Sequence, residues 1–102
     1  APEDPAMQLF FKAYKEKWND ECKEFVNGVL GYDSVYWLVD AIARAGSDDP
    51  KAIRDALAAT SNLALHHATI TIDPANNTPK DKDGVVLVAK EGRGQFYKKI
   101  KP

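Results

Sequence analysis

The order of the hydrophobic patterns along this chain predicts an α+β fold, with three helices followed by about three strands. Apolar residues recur at intervals of three and four through residues 5–60, which is typical of amphipathic helices. Runs rich in β-branched residues occur only later, at 68–72, 85–90 and 95–100. Helices that are segregated from strands in this way are typical of α+β domains. The length of 102 residues predicts a single domain, 1–102.

The first helix is predicted to begin at Pro5, with Asp4 as the residue that caps its free N–H groups. A wide aromatic-rich face follows at helical spacing and is expected to be buried. Its members are Met7, Phe10, Phe11, Tyr14 and Trp18. The next segment, 19–28, is predicted to be a polar connector in which Phe25 and Val26 form a buried tether.

The second helix is predicted to follow this connector and to end at Gly46, because a residue without a Cβ readily takes the left-handed conformation of a helix end. One apolar stripe runs along it and is expected to be buried: Val35, Leu38, Val39 and Ile42. Trp37 lies off this stripe and should cover a second contact surface. Asp48, Asp49 and Pro50 predict the start of a third helix, which ends at 60–62.

Three strands are predicted after the helices. Ala68–Ile72 is the first, and the loop 73–79 follows it, because Asp, Pro and Asn residues favour turns. Val85–Lys90 and Gln95–Ile100 are expected to form a hairpin whose turn is Glu91–Gly94.

Composition excludes several classes of protein. A formal net charge of −1 argues against a nucleic-acid surface, which needs clustered basic residues. No apolar run is long enough to span a bilayer, and the acidic start of the chain does not have the pattern of a signal peptide. The single cysteine, Cys22, is expected to be an inert, partly covered thiol.

The pair His66–His67, with Asp73 nearby in sequence, is the one cluster that invites a metal or catalytic interpretation. Zinc needs three or four converging ligands, and neighbouring residues of a strand point to opposite faces. One covered and one exposed histidine are therefore expected, and no metal site. The sequence contains no motif for a catalytic nucleophile or a phosphate loop. No catalytic residue and no cofactor are predicted, and the chain is not expected to be an enzyme.

Motifs spread over nearly the whole chain occur together in one protein family. They are Phe10–Trp18, Gly31–Ser34, Ala41–Ile42, Ala45–Pro50, Ile53–Leu57, Thr69–Pro74 and the closing Val85–Val88. In this order they resemble the C-terminal part of the periplasmic branched-chain amino-acid-binding proteins, the Leu/Ile/Val-type receptors of ABC importers. The number of correctly spaced matches makes this resemblance specific.

The resemblance implies that the chain is part of one lobe of a larger two-lobe α/β receptor with the type I periplasmic-binding fold. Such a parent binds a branched-chain or similar amino acid and delivers it to ABC transporter membrane subunits. It is periplasmic, so its export signal would lie upstream of this segment. The segment itself is expected to be mainly scaffold with little affinity for the ligand. It can contribute a wall of the ligand cleft through Asn27, Gly28 and Tyr32.

Leu65 and Ala68 depart from the family pattern, because they occupy positions where the family carries glycines. Their presence predicts a straightened strand in place of a turn. A homodimer is expected, because about three strands are too few to cover three amphipathic helices and an incomplete sheet leaves an open edge. A straight segment would favour exchange between the subunits, and surface docking is the alternative. The alternative function is therefore a self-assembling structural unit, natural or engineered, with no small-molecule ligand. Titration with leucine and valine separates this alternative from a receptor segment.

Overall fold

The computed structural model describes residues 1–102 as three helices followed by five strands. The helices are α1 (Pro5–Trp18), α2 (Phe25–Ala45) and α3 (Pro50–Ala58). The strands are β1 (Leu63–Ala64), β2 (Thr69–Asp73), β3 (Thr78–Lys80), β4 (Gly84–Lys90) and β5 (Arg93–Ile100). They form two antiparallel sheets, β1-β2-β3 and β4-β5. The predicted α+β class is confirmed, although β1 and β3 were not expected and β3 takes up the end of the predicted loop 73–79.

The main apolar cluster lies between α1 and the first half of α2. Met7, Phe10 and Val29 are buried at its centre. Partly buried side chains surround them: Phe11, Tyr14, Cys22, Phe25 and Tyr32. The predicted burial of Trp18 is wrong, since this side chain is 62% exposed. The part of α1 that packs in this cluster ends at Tyr14, so Trp18 lies beyond it. The Lys17 amine lies 5.5 Å from the centroid of the Trp18 ring.

The predicted connector 19–28 is too long, because α2 begins at Phe25. Phe25 and Val29 are four residues apart and both contact the α1 cluster, so tertiary packing extends the helix in the N-terminal direction. Gly28 is a poor helix former, but it lies where α1 comes very close. A Cβ at this position would be 2.8 Å from the Cys22 Sγ and 3.3 Å from the Phe10 ring.

Three helix ends test the predicted caps. Gly46 ends α2 with φ of 61°, and its N–H donates to the Ile42 carbonyl at 3.0 Å, as predicted. Asp49 caps α3 by accepting from the Ala52 N–H at 2.9 Å, also as predicted. Asp4 precedes Pro5 at the start of α1 but makes no capping hydrogen bond. Its carboxylate binds the Ala1 amine and Lys99 instead, and those charges hold the Asp4 pKa below its usual range.

The predicted burial of the Val35, Leu38, Val39 and Ile42 stripe is wrong. These four side chains are between 39% and 62% exposed. The face of α2 that packs inward carries Val29, Asp33, Trp37 and Ala41, at every fourth position. The apolar spacing therefore marks a real helix surface, but nothing in this chain lies over it. We call this surface the outer face of α2.

The residues Leu65–Ala68 form a turn between β1 and β2, so the predicted straightened strand is wrong. β1 and β2 pair antiparallel, with Leu63 opposite Ile70. The Leu65 N–H donates to the Ala68 carbonyl at 2.9 Å and closes the turn. None of these four residues has positive φ, so this turn does not need glycine. We call Leu65–Ala68 the histidine turn.

The hairpin β4-β5 extends away from the helices. Its turn consists of Glu91 and Gly92, both with positive φ (53° and 73°), which is tighter than the predicted Glu91–Gly94. The register shifts between Val86 and Leu87. Apolar side chains remain exposed along both strands: Val85, Leu87, Val88, Phe96, Tyr97 and Ile100. None of the three helices is long and apolar enough to cross a membrane.

Candidate functional site

One buried carboxylate, Asp33 of α2, holds the whole histidine turn. Its Oδ1 accepts hydrogen bonds from the His66 backbone N–H at 3.1 Å and from the His66 Nδ1 at 2.6 Å. Its Oδ2 accepts in the same way from the His67 N–H at 2.8 Å and the His67 Nδ1 at 2.5 Å. The Asp33 residue is only 1% exposed. Four donors from two consecutive residues therefore converge on one carboxylate.

Two opposing effects act on the charge of Asp33. Burial raises the pKa of a carboxyl group because it disfavours the charged form, and burial is the largest single influence here. The ring and backbone hydrogen bonds from His67, followed by those from His66, together outweigh it and hold the Asp33 pKa below its ordinary value. The site is thus built around an ionised aspartate.

The histidine prediction is wrong in its geometry. The two rings do not point to opposite faces, because 66 and 67 lie in a turn and not in a strand. Both side chains are largely covered, with 20% and 16% exposure. Asp33 was not among the residues predicted to form a site. One feature of the sequence could have indicated it: Asp33 is the single acidic residue in a row that repeats every four residues with Val29, Trp37 and Ala41, which are all apolar or aromatic.

Two tyrosines of α2 enclose the His66 ring. The Tyr32 and Tyr36 ring centroids are 5.0 and 5.1 Å from that of His66, both in edge arrangements. The two tyrosine hydroxyls are 3.2 Å apart and form a hydrogen bond. This bond, together with burial and the nearby negative charge of Asp33, raises the pKa of Tyr32. Phe10 contacts the other side of Tyr32 at 5.3 Å, so the aromatic row reaches the α1 cluster.

A second polar contact ties α2 to α3 and β2 through the buried Thr60. Its hydroxyl accepts from Trp37 Nε1 at 2.7 Å and from Arg44 Nη2 at 3.0 Å. Its carbonyl accepts from the Ile72 N–H at 2.9 Å. Arg44 also donates to Asp40 and to the Ala56 carbonyl. This arrangement confirms that Trp37 covers a second contact surface.

A cleft of about 450 Å³ opens beside the histidine turn. The turn lines one side, and the segment that enters β4 lines the other. The charged groups along it are the Ala1 amine, Asp4, Asp81, Lys82, Asp83 and Lys99. No three side chains among His, Cys, Asp and Glu are placed to hold a metal ion. The cleft carries both signs of charge, which suits a polar occupant.

The three residues predicted to line a ligand cleft lie on two different sides of α2. Gly28 and Tyr32 are four residues apart and both contact Phe10 of α1. Asn27 is exposed on another side of the helix. Cys22 is a free, partly covered thiol, as predicted, and burial together with the Glu24 charge raises its pKa.

The chain is similar to a solved structure over its full length. That structure is the leucine-binding protein LivK of Thermotoga maritima, with 34% sequence identity and a TM-score of 0.80. The match covers 100% of this chain and 28% of that protein, so the chain spans little more than a quarter of the relative's length. No protein-family model and no curated protein matches the sequence.

This likeness agrees with the prediction that the chain is not an enzyme, since the matched protein is a binding protein. The resemblance found in the motifs is confirmed: in sequence and fold, the chain matches a fragment of a leucine-binding receptor of the type I periplasmic-binding class.

Proposed function

We propose that this chain is a scaffold segment of a periplasmic amino-acid receptor that serves an ABC importer. The observation that carries the proposal is the likeness to LivK along the entire chain. The parent would bind a branched-chain or similar amino acid and interact with transporter membrane subunits. The isolated segment would have little affinity for the amino acid, because useful pockets surround most of the ligand surface.

The exposed apolar surfaces support this proposal. α2 has 21 residues, and its only charged side chains are Asp33, Asp40 and Arg44. Asp33 is buried, and the other two pair with each other at 2.8 Å. A long helix with so few charges is typical of a position that is covered on most sides. The outer face of α2 and the hairpin are the surfaces on which the rest of a receptor would pack.

Asn27, Gly28 and Tyr32 are the residues that we propose for a wall of the ligand cleft in the parent. Asn27 is the most informative of the three, since its side chain is exposed and has no hydrogen bond within the chain. Tyr32 and Gly28 also pack against Phe10, so their replacement would change stability as well as binding.

A chimera tests this function. The matched segment of LivK is replaced by this chain, and leucine binding is measured by calorimetry for the chimera, for LivK and for the isolated chain. We expect binding by the chimera and no micromolar binding by the isolated chain. In the chimera, Asn27→Ala should weaken leucine binding without lowering the melting temperature.

The control for the chimera is Lys51→Ala, a change at an exposed position of α3 that lies outside both the outer face of α2 and the hairpin. It should leave both leucine binding and melting temperature unchanged. The proposal is contradicted by tight binding of leucine to the isolated chain. It is equally contradicted by a folded chimera that does not bind leucine under conditions in which LivK does.

Self-assembly is the second candidate function, and the exposed apolar faces favour it too. Two copies could cover each other's outer faces of α2 and form a homodimer by surface docking. The exchange of an extended segment between the two copies is no longer expected, because a hydrogen bond closes the histidine turn and no straight segment is present there. Sedimentation at micromolar concentration measures the association directly, and the amino-acid titration shows whether a ligand accompanies it.

A further inference from the structure

We propose that the histidine turn is a proton-operated latch, which ionised Asp33 holds closed and which opens when this carboxyl group takes up a proton. The inference concerns only the contacts within this chain. It therefore does not depend on whether the parent is an amino-acid receptor.

The latch is a single point of attachment between distant parts of the chain. His66 and His67 are 33 and 34 residues from Asp33 in sequence. Each residue gives both its backbone N–H and its ring Nδ1 to one carboxylate oxygen. Apart from the closing bond between Leu65 and Ala68, these four bonds are the polar contacts that hold the turn. Removing their common acceptor therefore releases the turn as a unit.

The protonation state of both rings follows from the charge of Asp33. An ionised carboxylate can only accept hydrogen bonds, so each histidine must carry a hydrogen on Nδ1. The Nε2 atoms take no part in the latch. A neutral carboxyl places a hydrogen on one oxygen, and that oxygen then faces a ring N–H and a backbone N–H. The two N–H groups of at least one histidine would then face a neutral, weaker acceptor that carries a hydrogen of its own, and both contacts would be weakened.

The charged surroundings of the latch come from three parts of the chain. Tyr32 and Tyr36 contact the His66 ring from α2. Lys82, Asp81 and Asp83 line the cleft beside the histidines, and Lys82 and Asp33 both line a second, smaller cavity. The Ala1 amine, Asp4 and Lys99 line the same cleft as the histidines, where both cations form ion pairs with the Asp4 carboxylate.

The pH dependence of the latch follows from the Asp33 carboxyl group, because a ring N–H can donate to its carboxylate oxygen in either charge state of the imidazole. The net effect of the histidine hydrogen bonds is to lower the Asp33 pKa in the folded chain. Ionised Asp33 therefore stabilises the closed form at pH values above its pKa in the unfolded chain, about 3.9. This stabilisation is lost as the pH falls through the lower pKa that Asp33 has in the folded chain.

Opening of the latch would remodel the cleft beside it. Leu65, His66, His67 and Ala68 line that cleft directly. β2 begins immediately after the turn and remains fixed through the bond between the Ile72 N–H and the Thr60 carbonyl. The motion is therefore confined to the turn, and the sheet next to it stays in place.

NMR spectroscopy of the full chain tests the latch. At pH 7 the ring nitrogen shifts should show a hydrogen on Nδ1 of both histidines, whereas free histidine favours Nε2. The His66 and His67 amides should be protected from hydrogen exchange from pH 7 down to pH 5. Their protection, corrected for intrinsic exchange, should fall as the pH passes below about 4, while the Ile72 amide remains protected.

Two variants give the matched comparison. Asp33→Asn should shift at least one ring to the Nε2 form and speed exchange of its amide about tenfold or more. Asp40→Asn removes the same charge from the same helix without touching a histidine, and it should change neither signal. The latch is overturned by Nε2 hydrogens on both wild-type rings at pH 7, or by turn amides that keep their protection until the whole chain unfolds. If Asp33→Asn does not fold, the wild-type titration alone decides between these outcomes.

Discussion

At the scale of single residues, two buried polar side chains connect the elements of this fold. Only 8 of the 102 residues are buried, and two of those eight are Asp33 and Thr60. Each is held by donors from another element: the histidine turn for Asp33, and Trp37 and Arg44 of α2 for Thr60. With so little buried apolar surface, the loss of one such connection removes a large share of a marginal stability.

Thr60→Val tests the importance of the Thr60 hydroxyl. Valine keeps the shape and volume but removes the acceptor of the Trp37 and Arg44 hydrogen bonds. Because a buried donor is then left unpaired, we expect the free energy of unfolding to fall by about 1–3 kcal/mol, measured by urea denaturation. Thr69→Val is the control, since Thr69 is exposed on β2 and should change stability by less than about 0.5 kcal/mol. Equal losses in the two variants would show that the hydroxyl contacts are not important.

Asp33 makes the stability of the whole chain depend on pH as well. Its folded pKa is lowered, mainly because the histidine hydrogen bonds outweigh the effect of burial. We therefore expect the melting temperature to be constant near neutral pH and to fall on acidification below the unfolded value of about 3.9. The fall should be clearly smaller in Asp33→Asn, which has no carboxyl at this position to protonate. An identical acid profile in both proteins would assign the transition to other carboxylates.

At the scale of elements, the sequence predicted where helices exist better than which way they face. Gly46 and Asp49 have local effects on the backbone, so their helix boundaries could be recognised from single residues. The orientation of α2 could not be recognised in this way, because the apolar stripe exists but no other element of this chain covers it. The Asp33 site was missed for a related reason, since its three residues meet only through the tertiary fold.

Alanine substitutions at two glycines of α2 distinguish the effect of packing on stability from the effect of helix propensity. Gly31→Ala should stabilise the chain by up to about 1 kcal/mol, because alanine favours the helix and nothing lies within 4 Å of the new Cβ. Gly28→Ala should destabilise it, since the new Cβ would lie 2.8 Å from the Cys22 Sγ. Thermal denaturation of both variants measures the difference.

Cys22→Ala provides the control for the clash at Gly28. In that background the Sγ is absent, so Gly28→Ala should lose most of its cost. A cost that persists unchanged would mean that the Phe10 ring, 3.3 Å away, and not Cys22 sets the limit. In that case the close approach of α1 to Gly28 would still explain the loss of stability, but the contact responsible would be the Phe10 ring.

At the scale of the whole molecule, the chain is more extended than a self-sufficient domain. Its radius of gyration is 15.5 Å, whereas about 13 Å is expected for a compact domain of this length. The outer face of α2 and the hairpin account for most of the large apolar side chains that remain exposed. A soluble monomer seldom leaves so much apolar surface uncovered. We therefore expect an isolated chain to cover these surfaces by association with another copy.

The isolated chain should therefore associate, and Val35→Lys combined with Val39→Lys tests which surface is responsible. Both side chains are exposed, at 62% and 59%, so their replacement should change the unfolding free energy of the monomer by less than about 0.5 kcal/mol. Two lysines on the outer face of α2 would place like charges opposite each other in a symmetric dimer. Sedimentation velocity should show an associated wild type and a monomeric variant.

Ala59→Lys combined with Ser61→Lys is the matched control, because it adds the same charge at exposed positions after α3. That variant should associate as the wild type does. A wild type that is monomeric at micromolar concentration would contradict the prediction outright. If the variant with lysines at 35 and 39 still associates, the hairpin must be the contact surface, since it carries the other large group of exposed apolar side chains. Loss of association only in the variant with lysines at 35 and 39 would instead identify the outer face of α2 as the contact surface between two copies of the chain.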